Sequence, residues 1–209
     1  EDAYKDILAF AKEYNIPIEK IEHDTNLTLD ANIDIELHVP YDKGKLSNLK
    51  SNVIVTRLDH GAVSFLFASD CGQGCERIFH ENGSINYVTT VYGIGAHANK
   101  ESGTRLLFYN LSASIGVLSA NKTLDIAQAV PDVVNGYVNH GLRVYRTDYD
   151  GDIVITSDGR QTGAGISKGI DHWKEGTETQ TMRTPSPDCP FIAHYNSLFY
   201  YTFDCSLAA

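Results

Sequence analysis

The sequence predicts a mainly β protein of antiparallel sheets with one helix at its N-terminus, and an α+β sandwich is the alternative. Two observations predict this fold class. In several short runs, apolar side chains recur at every second position, a period typical of half-buried strands. Turn-forming residues separate these runs at intervals of about eight to twelve residues, as in all-β domains. No repeat or long linker divides the chain, so we expect residues 1–209 to form a single domain.

The N-terminal helix is predicted over residues 2–14. Its apolar side chains recur at steps of three and four residues, and Pro17 follows the last of them. This stripe consists of Ala3, Ile7, Leu8, Ala11 and Tyr14. We expect the stripe to pack against the rest of the protein.

The clearest predicted strand runs from Asn32 to Val39, where apolar and polar residues alternate without exception. The other predicted strands are 53–58, 62–68, 85–94, 106–118, 142–147 and 153–156. Hairpin turns are expected at Asp59-His60-Gly61 and at residues 148–152. We also expect a short helix over 123–130 and a glycine-rich loop over 159–169.

The net charge of the chain indicates which kinds of molecule and surface it is expected to bind. The sequence has 17 basic and 27 acidic side chains, so its net charge is −10 at pH 7. An acidic chain is repelled by phosphate backbones, so we expect no general nucleic-acid binding. Protonation of all 8 histidines would change the net charge from −10 to −2, which weakens repulsion from an anionic cell surface in acid.

The cysteines and glycosylation motifs predict a secreted, extracellular protein. The chain begins at Glu1, and we expect a leader to have been removed. An even number of cysteines predicts two disulfides, for which we favour Cys71–Cys75 and Cys189–Cys205 over the other pairings. Asn-x-Ser/Thr acceptor motifs occur at Asn26, Asn82, Asn110 and Asn121.

Two groups of residues are weak alternatives for a metal site. Cys71 and Cys75 could bind a metal with His80, but their spacing differs from that of common zinc motifs. The carboxylates of Asp148, Asp150 and Asp152 could begin a calcium loop, but Gly159 stands where that loop needs a bidentate glutamate. We therefore expect no metal and no other cofactor.

Ser167 is the centre of the one motif typical of a catalytic nucleophile, Gly165-Ile-Ser-Lys-Gly169. Asp188 and His194 could complete a catalytic triad with it. Alternatively, His194 could act with Arg143 or Arg146 and a carboxylate as a nuclease. A glycine-rich loop is the favoured interpretation, because no core strand is predicted before Ser167.

One segment has the alternation required of a membrane-spanning β-strand, with an apolar face and a face of small polar residues. The apolar face consists of Tyr109, Leu111, Ala113, Ile115 and Val117. Residues 177–182 form a second, threonine-rich candidate. An ordinary sandwich strand shows the same alternation and is the favoured alternative.

The expected processed start, the glycosylation motifs, the two expected disulfides and the acidic charge together resemble the small secreted killer toxins of yeasts. Residues 109–117 and 177–181 are also similar in pattern to β-rich pore formers of the aerolysin type. These resemblances imply a glycoprotein toxin that binds a target-cell surface or membrane and forms a pore as a homo-oligomer. The alternatives are a secreted hydrolase or toxin nuclease, and a carbohydrate-binding module whose aromatic rings within residues 195–203 stack on sugars.

Overall fold

The computed structural model describes residues 2–40, 53–123, 128–168, 192–193 and 200–201. The helices are α1 (Asp2–Glu13), α2 (Gln73–Asn82), α3 (Arg105–Asn110), α4 (Pro131–Asn139) and α5 (Thr147–Asp150), and a 3-10 turn spans Gly95–Ala98. The strands are β1 (Thr25–Asp30), β2 (Ile33–His38), β3 (Val55–His60), β4 (Val63–Phe67), β5 (Val91–Gly93), β6 (Ile115–Leu118), β7 (Arg143–Arg146), β8 (Ile153–Ser157), β9 (Thr162–Ile166), β10 (Ile192–Ala193) and β11 (Tyr200–Tyr201).

Strands β1 to β7 form one seven-stranded sheet in the order in which they occur along the chain. The predicted β-rich fold with an N-terminal helix is thus confirmed, although the helices make it a mixed α+β structure. Strands β1 to β4 pair antiparallel, whereas β4 to β7 pair parallel, which the prediction of antiparallel sheets did not include. A parallel pair needs a crossover connection, and helices lie in the connections between β4 and β7.

In the antiparallel half, strands β2, β3 and β4 lie close to the strands predicted from the sequence. Strand β2 pairs with β3 so that Ile35 lies opposite Leu58, and Leu58 in turn lies opposite Phe65 of β4. The hairpin predicted around His60 is confirmed, with its turn at Gly61 and Ala62. A two-residue turn joins β3 to β4, so local patterns were sufficient for that pair, whereas residues 39–54 separate β2 from β3.

Helices α2, α3 and α4 cover one face of the parallel half and enclose the core. Leu66 and Leu118 of the sheet are 0% exposed, as is Tyr137 of α4. Phe79 of α2 and Leu107 of α3 complete this layer and are also buried. The β8–β9 hairpin partly covers the opposite face of the sheet, here called the open face, where Ile153 and Ile155 of β8 face Phe65 and Phe67 of β4.

That hairpin is anchored to the turn between β3 and β4. The Ala62 amide donates to the Gly159 carbonyl at 2.7 Å, and His60 Nδ1 lies 3.1 Å from Ser157 Oγ. A Cβ atom on Gly61 would lie only 2.6 Å from the Gly159 oxygen, so this approach requires glycine. The contact holds β8 and β9 over the open face of the sheet.

The strand predicted over 106–118 is confirmed only for its last four residues. Residues 105–110 form α3, which begins at Thr104, whose Oγ1 accepts a hydrogen bond from the Leu107 amide at 3.1 Å. Of the five candidates, Tyr109 lies in this helix, Leu111 and Ala113 lie in the following connection, and only Ile115 and Val117 lie in a strand. That strand, β6, is in the interior of the seven-stranded sheet, where both of its edges are already paired.

Three further predictions need correction. The strand predicted over 85–94 is limited to 91–93, and the predicted loop 159–169 contains β9. Helix α4 was not predicted, and it begins at Pro131 because proline is well suited to the first helical turn. The hairpin turn expected at 148–152 is mostly helix α5, because β7 and β8 belong to different sheets. Residues 124–127 of the predicted helix 123–130 lie outside the described residues.

Candidate functional site

The parallel half brings together three turns that lie far apart in the sequence. Ser69 and Asp70 follow β4, His97 follows β5, and Ser119 follows β6. Because parallel strands end at the same edge of a sheet, these turns are adjacent in space. In open sheets of this kind, ligands bind at the carboxyl ends of the strands.

A cleft of about 500 Å³ lies at this edge, between the open face of the sheet and strand β8. Its apolar walls are formed by Phe65, Phe67, Val91, Ile94, Val117, Ile153 and Ile155. Its polar end is formed by Ser69, Asp70, His97 and Ser119. The volume is within the range of pockets that bind small molecules.

Backbone strain is concentrated at the polar end of the cleft. Ser69 has a φ of 52°, and the consecutive residues Ala96, His97 and Ala98 have φ values of 46°, 53° and 51°. Left-handed conformations cost free energy in residues other than glycine and are enriched at functional sites. The two turns support each other, since the Ala96 amide donates to the Ser69 carbonyl at 2.9 Å.

Gly95 allows these turns to approach each other. A Cβ atom at this position would lie 2.6 Å from the carbonyl oxygen of Cys71 and 3.1 Å from the Cβ of Ala68. Any larger residue would therefore push the turn after β5 away from the turn after β4. The position of His97 depends on this close contact.

His97 has the orientation of a general base. Its Nδ1–H donates to the Ser119 carbonyl oxygen at 2.7 Å. A carbonyl oxygen only accepts hydrogen bonds, so Nδ1 must carry the hydrogen, and in the neutral ring Nε2 then has a free lone pair. The His97 side chain is 34% exposed and lines the cleft, so Nε2 is accessible to a ligand.

Asp70 supplies negative charge beside this imidazole. Its Oδ1 lies 3.9 Å from His97 Nε2, a distance that permits an electrostatic interaction but not a direct hydrogen bond. The carboxylate is 74% exposed at the mouth of the cleft. It would stabilise an imidazolium formed at His97, and it leaves room for a water molecule or a substrate atom next to Nε2.

The Cys71–Cys75 disulfide is present, as predicted, and it joins the turn after β4 to helix α2. Both residues are buried, at 3% and 2% exposure. Oxidised sulfur is not a metal ligand of the expected kind, so the alternative metal site with His80 is wrong. His80 instead accepts a hydrogen bond from the Asn110 side-chain amide at 3.1 Å. Cys189 and Cys205 lie outside the described residues.

A buried carboxylate joins helix α2 to the turn before α3. Glu76 is 3% exposed, and its two oxygens accept hydrogen bonds from the Gly103 and Thr104 amides at 2.9 and 2.8 Å. Burial, with a smaller contribution from the charge of Glu76, raises the pKa of Tyr87 to about 12. Burial likewise raises the pKa of Tyr92 well above its ordinary value, so these rings remain neutral core groups.

The predicted nucleophile Ser167 is placed in a different context from the one its motif requires. It follows β9 in the two-stranded hairpin, and its Oγ accepts a hydrogen bond from the Asp152 amide at 2.8 Å. A nucleophile elbow needs a core strand and a following helix, and β9 is not part of the large sheet. The proposed partners Asp188 and His194 lie outside the described residues.

Two of the three aspartates of the calcium alternative, Asp148 and Asp150, accept hydrogen bonds within the protein, and Asp152 is exposed. Asp148 accepts two hydrogen bonds from the guanidinium of Arg146, at 3.0 and 2.7 Å. Asp150 is 1% exposed, and its Oδ2 accepts from the Arg146 amide. Within the described residues, no group of three or more histidine, cysteine or acidic side chains is arranged to hold a metal ion.

The glycosylation motifs differ in their surroundings. Asn26, Asn82 and Asn121 are exposed. Asn110 is half-buried, and its side-chain amide donates to both His80 and the Leu106 carbonyl, the latter at 2.8 Å. A glycan on that nitrogen would remove one of these hydrogen bonds.

Sequence reasoning missed the cleft residues. The polar ones, Ser69, Asp70, His97 and Ser119, follow strands, and two glycines, Gly93 and Gly95, precede His97. These features were visible in the sequence, but they indicate a site only once β4, β5 and β6 are known to be parallel neighbours.

No described helix combines the length and the apolar character needed to cross a membrane. No protein-family model matches the chain, and no curated protein matches its sequence. The proposed function therefore rests on the geometry of the cleft.

Proposed function

We propose that the protein is a hydrolase in which His97 acts as general base on a substrate bound in the cleft. The observation that carries this proposal is the bond from His97 Nδ1–H to the Ser119 carbonyl, which leaves Nε2 free at the polar end. Hydrolysis of an ester by this arrangement needs no group beyond the protein and water. A hydrolase was one of the alternatives predicted from the sequence, but the proposed catalytic residue is His97 and not Ser167.

The proposed reaction is a single displacement at the ester carbonyl carbon. His97 Nε2 removes a proton from a water molecule while the water oxygen forms a bond to that carbon. The bond between the carbon and the leaving oxygen then breaks, and His97 returns the proton to that oxygen. The products are a carboxylic acid and an alcohol, and nothing is oxidised or reduced. Asp70 stabilises the positive imidazolium between the two proton transfers.

The test is hydrolysis of p-nitrophenyl esters by the purified chain. We expect His97→Gln to reduce kcat/KM by about 10²-fold or more, since general base catalysis contributes that much. The matched control is His23→Gln, an exposed histidine in the antiparallel half of the molecule, which should retain wild-type rates. Ser119→Ala should also retain activity, because the hydrogen bond to His97 uses the backbone carbonyl. Equal rates for His97→Gln and the wild type would refute the proposal.

A second experiment identifies the attacking group. Ser69 is exposed and lines the same cleft. It lies between strand β4 and helix α2 with a left-handed backbone, so its hydroxyl is the alternative attacking group. We expect Ser69→Ala to retain most of its activity, because water attacks the ester. Covalent labelling of Ser69 by a fluorophosphonate, with loss of turnover in Ser69→Ala, would assign the attack to Ser69 instead.

A second candidate function comes from the N-terminal segment. Apolar side chains between residues 4 and 18 are largely exposed, including Ile7 at 63%, Phe10 at 56% and Ile18 at 58%. We propose that this segment lies against the membrane of a target cell, in agreement with the secreted toxin that the sequence resemblance implies. The Cys71–Cys75 disulfide is compatible with an oxidising extracellular medium.

Sedimentation with lipid vesicles tests this second candidate. We expect binding that increases in acid as the histidines are protonated, and weaker binding when Ile7 and Phe10 are replaced by serine. Val154→Ser, which removes an apolar side chain with 59% exposure from the distant hairpin, is the control. Release of a trapped dye would separate pore formation from surface binding, and absence of binding at any pH would refute this candidate.

A further inference from the structure

We infer that the apolar part of the cleft holds a medium-length acyl chain, so that the substrate is a neutral ester of a fatty acid. This inference rests on the proposed function, because it identifies the acyl group of the ester whose hydrolysis His97 is proposed to catalyse. It is carried by the shape, the lining and the charge of the cleft.

The lining is apolar over most of its extent. Phe65 and Phe67 project from β4 on the same face, with their rings stacked at a centroid distance of 6.1 Å. Phe67 is 45% exposed, so part of its ring in the cleft is open to solvent. Covering such a side chain with an apolar ligand removes its surface from water and stabilises the complex.

The lining extends both along the strands and across them. Phe65 and Phe67 are two residues apart on β4, and two residues of a strand span about 7 Å. Ile153 and Ile155, also two residues apart, line the cleft from β8 on the opposite side. An acyl chain can lie between these two apolar walls.

The charge of the site favours a neutral substrate. Asp70 lies at the mouth, and the described lining residues include no lysine or arginine. The chain as a whole has a net charge of −10. A phosphorylated or carboxylated substrate would be repelled and would find no cationic partner in the cleft, whereas an uncharged ester avoids both problems.

The direction of binding follows from the position of the polar end. Ser69, His97 and Ser119 lie at the carboxyl edge of the strands, beyond the apolar walls. With the acyl chain between the sheet and β8, its carbonyl group lies at this polar end and the leaving alcohol points to solvent.

The experiment uses p-nitrophenyl acetate, butyrate and octanoate with the full chain. For each methylene that enters the cleft, we expect kcat/KM to increase about threefold to fourfold. Ile155→Trp, which fills the cleft from β8, should abolish the preference for octanoate while acetate is still hydrolysed. Val154→Trp is the matched control, because the neighbouring side chain is exposed and is not part of the lining.

Binding of octanamide, a neutral amide that mimics the ester, is measured separately by calorimetry. We expect the wild type and His97→Gln to bind it equally and Ile155→Trp to bind it at least tenfold more weakly. Binding without any ester hydrolysis would support the acyl site and refute the proposed function. Hydrolysis with no chain-length preference and no effect of Ile155→Trp would support the proposed function and refute the acyl site. Absence of both would refute both.

Discussion

The two halves of the seven-stranded sheet differ in how much of their surface is covered. In the antiparallel half, β1 is exposed along almost its whole length, and Leu29 is 66% exposed. In the parallel half, Leu66 is 0% exposed, and helices cover one face. The strained turns after β4 and β5 and the cleft are confined to the parallel half. This comparison indicates that a well-packed framework supports the strained turns, as is common at functional sites.

The largest expected effect tests the packing difference directly. We expect Leu66→Ala to reduce the free energy of unfolding by about 2–5 kcal/mol, because it leaves a cavity in the core. Leu29→Ala, the same substitution on exposed strand β1, should change it by less than about 0.5 kcal/mol. Urea unfolding followed by circular dichroism measures both values. Similar losses for the two variants would contradict the difference between the halves.

An intermediate effect is expected from two glycines in the parallel half. Gly95→Ala should reduce the free energy of unfolding by about 1–3 kcal/mol, because its Cβ would clash with the Cys71 carbonyl, and it should also lower esterase activity by displacing His97. Gly74→Ala should be stabilising by about 0.5–1 kcal/mol, because Gly74 is in helix α2 and a Cβ there meets no atom within 4 Å.

Thermal unfolding and ester hydrolysis of these two variants measure the effects together. A Gly95→Ala variant with wild-type stability and activity would show that the close approach of the turns does not position His97.

The smallest effect concerns the hairpin that covers the cleft. The amides of Gln161 and Arg160 donate to Asp158 and lower the pKa of its carboxyl group. Since this pKa is lower in the folded state, the ionised group stabilises the hairpin above its ordinary pKa, and the contribution is lost as the pH falls. Asp158→Asn should therefore be slightly less stable than the wild type at about pH 7, and the difference should shrink as the pH falls below the ordinary pKa of aspartate.

Thermal unfolding of both proteins across this range measures the difference. A difference that does not change with pH would show that the charge of Asp158 has no role in holding the turn.

The sequence predicted those elements whose contacts are local. The alternation from Asn32 to Val39 identified β2, and the spacing of two cysteines identified the Cys71–Cys75 disulfide. The same alternation was misleading at 106–118, because a period of two in residue type does not exclude a helix when a cap such as Thr104 precedes it. Around Ser167 the missing core strand correctly argued against a nucleophile, but the predicted loop contains β9, because glycines within a run do not exclude a strand in a hairpin.

By itself, the sequence determined strands β2, β3 and β4, the N-terminal helix and the first disulfide, whereas β1 was not predicted. Each of these depends on residues within a few positions of one another, so local periodicity and spacing are sufficient. Only the tertiary structure decided the parallel order of β4 to β7 and the site at their carboxyl edge. The orientation of His97 depends on the carbonyl of Ser119, 22 residues away, and on the approach of the Cys71 backbone to Gly95. Such contacts exist only after distant strands have paired, and for this reason no local pattern indicated them.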